Sequence, residues 1–149
     1  MALNWPKMGP NYVPAYQISG LPFVTSSAAG ELTNAGNIVK ITFPFVTSNI
    51  AVTAVGTATG ILRVGFTENG VRGIETHNYI TLPVVANKPI TSPQLKIRCK
   101  ELFLRNDEDD GATGNAIGFS VFGQLTTILG SEFPILTGSD GVFDWTGIG

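Results

Sequence analysis

The sequence contains little cysteine and little histidine. Among its 149 residues, Cys99 is the only cysteine and His77 the only histidine. A single cysteine excludes a disulfide within the chain and a cysteine-rich zinc site, and one histidine leaves a metal site without its usual ligands. Cys99 is in phase with Leu95 and Ile97, which predicts a small buried side chain rather than a catalytic thiol.

Charge is also scarce. Charged residues make up 13% of the chain, about half of the roughly 25% that is usual in soluble domains. The net charge of −2 gives no support for nucleic-acid binding, which requires a basic surface. Apolar residues make up 43% of the chain. Two interpretations stay open: a surface largely covered by partners, or a β-rich monomer whose surface is rich in Ser, Thr and Asn.

Long hydrophobic runs and catalytic motifs are absent. No run approaches the roughly 18 apolar residues of a membrane span, and the opening MALNWPKMGPNYVPAY lacks the apolar core of a secretory signal. The sequence has no nucleophile elbow and no glycine-rich phosphate loop. We therefore expect no enzyme, no cofactor, no metal, no membrane partner and no nucleic acid. A hydrolase that pairs His77 with Cys99 or a serine stays as a distant alternative.

Strand and turn residues dominate what is present. Eighteen glycines and nine prolines, together with many Thr, Val and Ile residues, favour strands and turns over helices. Short strands with turn signals between them predict an all-β fold, a two-sheet antiparallel β-sandwich of jelly-roll type with about eight strands. The predicted strands are 23–27, 38–46, 49–56, 60–66, 79–85, 93–105 and 115–126, with a further one near FPILTG and a break near Lys100 and Glu101.

Three segments follow from the composition: an extended N-terminal arm (1–22), a β-sandwich domain (23–138) and a C-terminal tail (139–149). The arm holds four prolines, which block helix, and three aromatic residues, which a disordered tail usually lacks. Both ends are therefore predicted to lie on a surface, with a flexible leader and a tail folded over its own domain as the alternatives. The aromatic residues concerned are Trp5, Tyr12, Tyr16, Phe143 and Trp145.

The stretch LRVGFTENGVRG (62–73) begins as a strand whose alternate residues predict one buried face. The pair Asn69-Gly70 then favours a tight turn. Arg63, Glu68 and Arg72 are then either ordinary surface charges or polar contacts of a binding face. For Glu68 the solvated charge is the preferred interpretation.

Two binding alternatives rest on short segments. The acidic run NDEDDGATGN (106–115) places oxygen ligands at positions 1, 3 and 5 of a calcium-binding loop. Ile117, however, occupies position 12, where a bidentate Glu is required. A solvated loop between strands is the preferred interpretation. His77, Asn78 and Tyr79 form the one short stretch typical of a carbohydrate or receptor site, as in a viral fibre or tail.

The pieces ISGLPFVTSS, RVGFTENGV and IRCKELFLR, in their order along nearly the whole chain, resemble small single-jelly-roll minor capsid proteins of double-stranded DNA viruses. Proteins of that kind form vertex pentons or cement the coat. The resemblance implies a structural virion protein that is assembled inside the host cell. Its partners would be the major capsid protein and further copies of itself, and it implies no catalytic residues. In such a subunit Arg63 and Arg72 would lie at the rim of the domain as contacts between subunits, with a plain hairpin and solvated charges as the alternative.

Overall fold

The structure is a computed structural model that describes residues 13–14, 20–27, 31–34, 36–73, 77–107 and 116–133. These residues form eight strands, one short helix and a final 3-10 turn. The elements are β1 (Leu21–Ser26), β2 (Ile38–Thr42), β3 (Phe45–Gly56), β4 (Gly60–Gly65), α1 (Glu68–Arg72), β5 (Tyr79–Val84), β6 (Ile90–Thr91), β7 (Glu101–Asn106), β8 (Ile117–Leu129) and the turn Gly130–Glu132.

The strands form two four-stranded sheets with the orders β1-β8-β3-β6 and β2-β7-β4-β5. Every pair within the sheets is antiparallel. Six of the seven connections between consecutive strands cross from one sheet to the other; only β4 and β5 are joined within a sheet. This arrangement is a jelly roll, and it confirms the fold class that the strand spacing predicts.

The core lies between the two sheets. Alternate residues of each strand point inward, as the period of two requires, and the fully buried side chains are mostly aliphatic. Leu62 and Val64 are buried and Phe66 packs against the core, which confirms the buried face predicted for 62–66. The largest fully buried side chains are Phe43, Leu32, Ile50, Leu62, Leu102, Leu104 and Ile128.

The prediction of one strand over 38–46 is wrong. The chain leaves β2 after Thr42 and enters β3, in the other sheet, at Phe45. Pro44 lies at this corner, between the two strands. Its lack of an N–H group therefore removes no hydrogen bond from either sheet. The amide of Phe43 still donates to the Lys100 carbonyl at 2.8 Å.

The segments 49–56 and 60–66, which the short TATG connection between them favours as a hairpin, do not pair with each other. β3 and β4 belong to different sheets, so the TATG segment crosses from one sheet to the other. The predicted strand 93–105 does break near Lys100, as expected, and only Glu101–Asn106 is a regular strand. The short edge strand β6 escaped prediction, because two residues are too few to show a period.

The turn predicted at Asn69-Gly70 is a short helix instead. Thr67 caps α1 with its hydroxyl, which accepts a hydrogen bond from the Gly70 amide at 3.1 Å. Gly73 ends the helix in the left-handed conformation with φ of 69°, where glycine carries no steric penalty. Asn-Gly therefore lies inside a capped helical turn, because the capping residues on both sides determine the local conformation.

Candidate functional site

Helix α1 packs on the outer surface of the sheet β2-β7-β4-β5, over strands β4 and β7. Its Val71 side chain is fully buried and lies directly over Gly65 of β4. A Cβ atom on Gly65 would stand 2.5 Å from Cγ1 of Val71, so the absent side chain is what allows the helix to approach the sheet. We call this outer surface the α1 face.

Two arginines hold the C-terminal end of α1 on the sheet. Arg63 of β4 and Arg105 of β7 are directly paired across the strands. Nη1 of Arg63 donates to the carbonyls of Val71 and Arg72, both at 3.3 Å. Nη1 of Arg105 donates to the same two carbonyls. Cations are favoured at this end of a helix, where the carbonyl groups lack partners within the helix.

Arg63 also forms an ion pair with Asp107, and each of the two side chains is only 12% exposed. Its guanidinium group lies over the Tyr79 ring, 4.4 Å from the ring centroid. The structure therefore places Arg63 in a network within the subunit. A rim contact with a neighbouring subunit would have to break or share that network.

Arg72 differs from Arg63 in its surroundings. Its side chain is 47% exposed and pairs with Glu68 one helical turn earlier. Such exposed pairs contribute little to stability, about 0.3–0.5 kcal/mol, so Arg72 is available to a partner at little cost. That Arg72 contacts a neighbouring subunit stays a prediction.

In the stretch His77–Tyr79, the Tyr79 ring already has contacts within the chain. The His77 ring meets the Tyr79 ring edge-on at 6.2 Å, while Arg63 covers a face of that ring. A sugar that stacks on Tyr79 would compete with the guanidinium group. This geometry gives no support to the carbohydrate interpretation.

The outer surface of the other sheet has a different character. Strand register places twelve residues from β1, β8, β3 and β6 on it, and none is ionisable. We call this surface the uncharged face. Its members are Pro22, Val24, Ser26, Gly118, Ser120, Phe122, Gln124, Asn49, Ala51, Thr53, Val55 and Thr91.

Most polar groups on the uncharged face are hydrogen-bonded to residues of this chain. The hydroxyl groups of Ser26 and Ser120 lie 2.9 Å apart, as do those of Thr53 and Thr91. Asn49 donates its amide to Gln94 at 3.2 Å.

An apolar strip runs across the middle of this face. The register aligns Val24, Phe122 and Ala51 on three adjacent strands, and Val24 is 69% and Phe122 40% exposed. The uncharged positions are visible in the sequence as alternate residues of three separate segments. Only the strand order shows that they share one surface.

Five of the predicted interface residues lie outside the described part of the chain: Trp5, Tyr12, Tyr16, Phe143 and Trp145. Most of the acidic run lies there too. Its first residue, Asn106, is buried and donates its amide to the Leu32 carbonyl at 3.0 Å, and Asp107 pairs with Arg63. Within the described ranges there is no group of three potential metal ligands and no helix long and apolar enough to cross a membrane.

Cys99 is buried, as predicted. Its sulfur lies 3.4 Å from the Thr47 hydroxyl, and that hydroxyl accepts a hydrogen bond from the Cys99 amide at 3.0 Å. Burial raises the pKa of the thiol to about 11, against a lowering influence from Thr47 and the Glu101 backbone. A thiol of this kind is protonated at neutral pH and is a poor nucleophile.

This pKa predicts a loss of stability in alkali. The folded chain retains the Cys99 proton up to about pH 11, whereas the unfolded chain loses it near pH 9.0. Stability from this group is thus complete below pH 9 and falls as the pH rises toward 11, by roughly 2–3 kcal/mol in all. Urea unfolding at several pH values should show a steeper alkaline loss for the wild type than for Cys99→Ala, and parallel curves would contradict this.

Comparison with known proteins gives limited information. No protein-family model matches the chain, and no curated protein matches it. Among solved structures, the chain is similar to the coat protein of Tobacco streak virus. The two share 9% sequence identity, with 91% of this chain and 97% of that chain covered, at a TM-score of 0.39. A likeness of this degree does not assign the chain to a family.

Proposed function

We propose that this chain is a structural subunit of an icosahedral virus capsid, where it acts through contacts between subunits. Jelly rolls occur in capsids, lectins and cupins, so the fold by itself leaves the function open. The observation that carries the proposal is the difference between the two sheets. One outer surface carries α1, its two arginines and the Lys40–Glu101 ion pair, whereas the twelve positions of the uncharged face include no ionisable residue.

The interior of the jelly roll favours this role over small-molecule binding. The space between the sheets is filled by packed side chains such as Phe43, Ile50 and Leu102. A cupin-like site would need polar groups that converge inside the barrel. A lectin-like site at Tyr79 would find one face of the ring already covered by Arg63. The surfaces of the chain are therefore the better candidates for its function.

The finer role follows the resemblance found in the sequence. We propose that the chain acts as a minor capsid protein, as a vertex penton or a cement protein, with the major capsid protein as a partner and the virion as its location. Mass spectrometry of purified virus particles tests this. The chain should copurify with the shell, and its copy number relative to the major capsid protein separates the two roles. Its absence from particles, with abundant expression in infected cells, would overturn the proposal.

The arms are the segments that we expect to connect subunits, because an aromatic arm buries apolar surface only when a neighbour is present. Removal of residues 1–12 should leave the folded domain stable and lower its incorporation into particles at least about tenfold. The segment ends well before β1, so the sheet keeps all its strands.

A second variant separates arm length from arm chemistry. Trp5→Ser, Tyr12→Ser and Tyr16→Ser together keep the length and remove the three aromatic anchors. We expect this variant to incorporate as poorly as the truncated chain. Incorporation at the wild-type level by both variants would show that the arm has no part in assembly.

A further inference from the structure

Within the described part of the chain, the uncharged face is the largest surface whose composition is not explained by contacts inside the subunit. Where one face of a sheet is exposed to water, its strands usually alternate apolar residues on the inner face with polar and charged residues on the outer face. On this jelly roll the α1 face follows that rule, with Lys40 and Glu101 paired across its strands at 2.9 Å. The opposite surface instead presents Val24 and Phe122 in the centre and uncharged groups around them.

We infer that the uncharged face packs against a second copy of this chain. Because this deepens the proposed function, it rests on the role of the chain as an assembling subunit, and it names both the surface and the partner. Nucleic acid would require basic residues on the surface, and a charged protein partner would leave its own charges unpaired there. An uncharged surface is matched by another surface of low charge, and this chain has only 20 charged residues among 149.

The hydrogen bonds within the face lower the cost of burying it. A polar group that loses water without gaining a partner costs free energy. Here the hydroxyl pairs Ser26–Ser120 and Thr53–Thr91 retain each other as partners when water leaves. The central valine and phenylalanine supply the apolar surface that drives association.

The size of the face fits a contact between subunits. Each position on one face of a sheet occupies about 32 Å², so the twelve positions of the uncharged face cover roughly 400 Å² in projection. A standard interface buries about 800 Å² on each partner. The face therefore supplies about half of one side of such a contact, and adjoining segments supply the rest.

Sedimentation equilibrium of the full-length chain between about 1 μM and 1 mM tests the inference. The wild type should associate in this range. Val24→Asp should weaken association about 100-fold or more, because a carboxylate would be buried without a partner. Ile61→Asp is the matched control: Ile61 is 40% exposed and lies on β4 with the same parity as Arg63, on the α1 face, so this variant should associate like the wild type.

Val24→Thr tests whether a substitution at this position disturbs the fold, since threonine preserves the branched shape and adds no charge. It should lose much less association than Val24→Asp. The mass of the oligomer then gives the geometry. A dimer means that each copy presents the uncharged face to the other, and a closed ring means that this face meets a different surface of the neighbour.

Three results would overturn the inference: a wild type that stays monomeric throughout, a Val24→Asp variant that associates normally, or equal losses in Val24→Asp and Ile61→Asp. These outcomes are distinct from failure of the capsid role. Presence in virus particles with association insensitive to Val24 would reject the face and keep the role. Association that depends on Val24 in a chain absent from particles would do the reverse.

Discussion

Replacement of Arg63 by methionine is expected to lower the free energy of unfolding by about 3–4 kcal/mol, the range typical of a broken buried ion pair. Methionine keeps much of the length and apolar contact of the arginine stem but not its charge. Asp107, 12% exposed like its partner, would be left with a charge largely removed from water. The C-terminal carbonyls of α1 would keep only Arg105 as a donor from the sheet.

Arg72→Met is the matched control, because the same substitution is made about nine residues away on the same face. Its pair with Glu68 is exposed on both sides, and such pairs contribute about 0.5 kcal/mol or less. Urea unfolding of both variants at one pH measures the difference. A double variant, Arg63→Met with Asp107→Leu, should recover part of the loss because no unpaired charge remains. Equal losses in the two single variants would show that Arg63 is not structurally engaged.

Phe43→Ala should be the other strongly destabilising substitution, with a loss of about 3–5 kcal/mol in the free energy of unfolding. Phe43 is 2% exposed and lies at the corner where the chain passes from one sheet to the other. Its ring packs edge-on against Phe23 of β1, with 5.0 Å between the ring centroids. The cavity left by alanine would therefore lie between the sheets, where the backbone on both sides limits collapse.

Phe122→Ala provides the comparison, since Phe122 belongs to the uncharged face. At concentrations where the chain is monomeric, its partly exposed ring contributes less burial, and we expect a loss of about 1 kcal/mol or less. Equilibrium unfolding by urea of the two alanine variants compares the two positions directly. A loss at Phe122 as large as that at Phe43 would contradict the assignment of Phe122 to an outer surface.

Together these substitutions separate stability from assembly. Phe43 and Arg63 act within the subunit: the first joins the sheets and the second fixes α1 to one of them. Val24 lies on the uncharged face, where a charge is expected to disturb association and to leave the fold intact. Because the chain has so few charged residues, it cannot distribute them evenly over its whole surface. The position of the uncharged face is therefore informative about its partners.

Several features of the fold were predictable from local sequence. Alternation identified Leu62, Val64 and Cys99 as buried, and the loss of alternation near Lys100 indicated the strand break. These predictions succeeded because a period of two reports which side of a strand faces the core, whatever the strand pairs with. The same information predicted a sandwich, since many short strands without amphipathic helices have few other ways to bury one face each.

Other features depended on residues that are distant in the sequence. The pattern 38–46 reads as one strand because Phe43 and Phe45 continue the alternation, yet the two halves belong to different sheets. Asn69-Gly70 favours a turn locally, but Thr67 and Gly73 provide caps for a helix, and Gly65 leaves room for that helix to pack. Local propensity is a weak influence when capping and packing oppose it.

The sequence by itself thus determined where apolar residues alternate along each strand, and that charge is rare. The tertiary structure alone decided which residues share a surface. Strand order brings Val24, Phe122 and Ala51 side by side from three distant segments, and it sets Arg63 beside Arg105 under the end of α1. The physical reason is that pairing in a jelly roll is mostly non-local, so neighbours on a sheet are seldom neighbours in the chain.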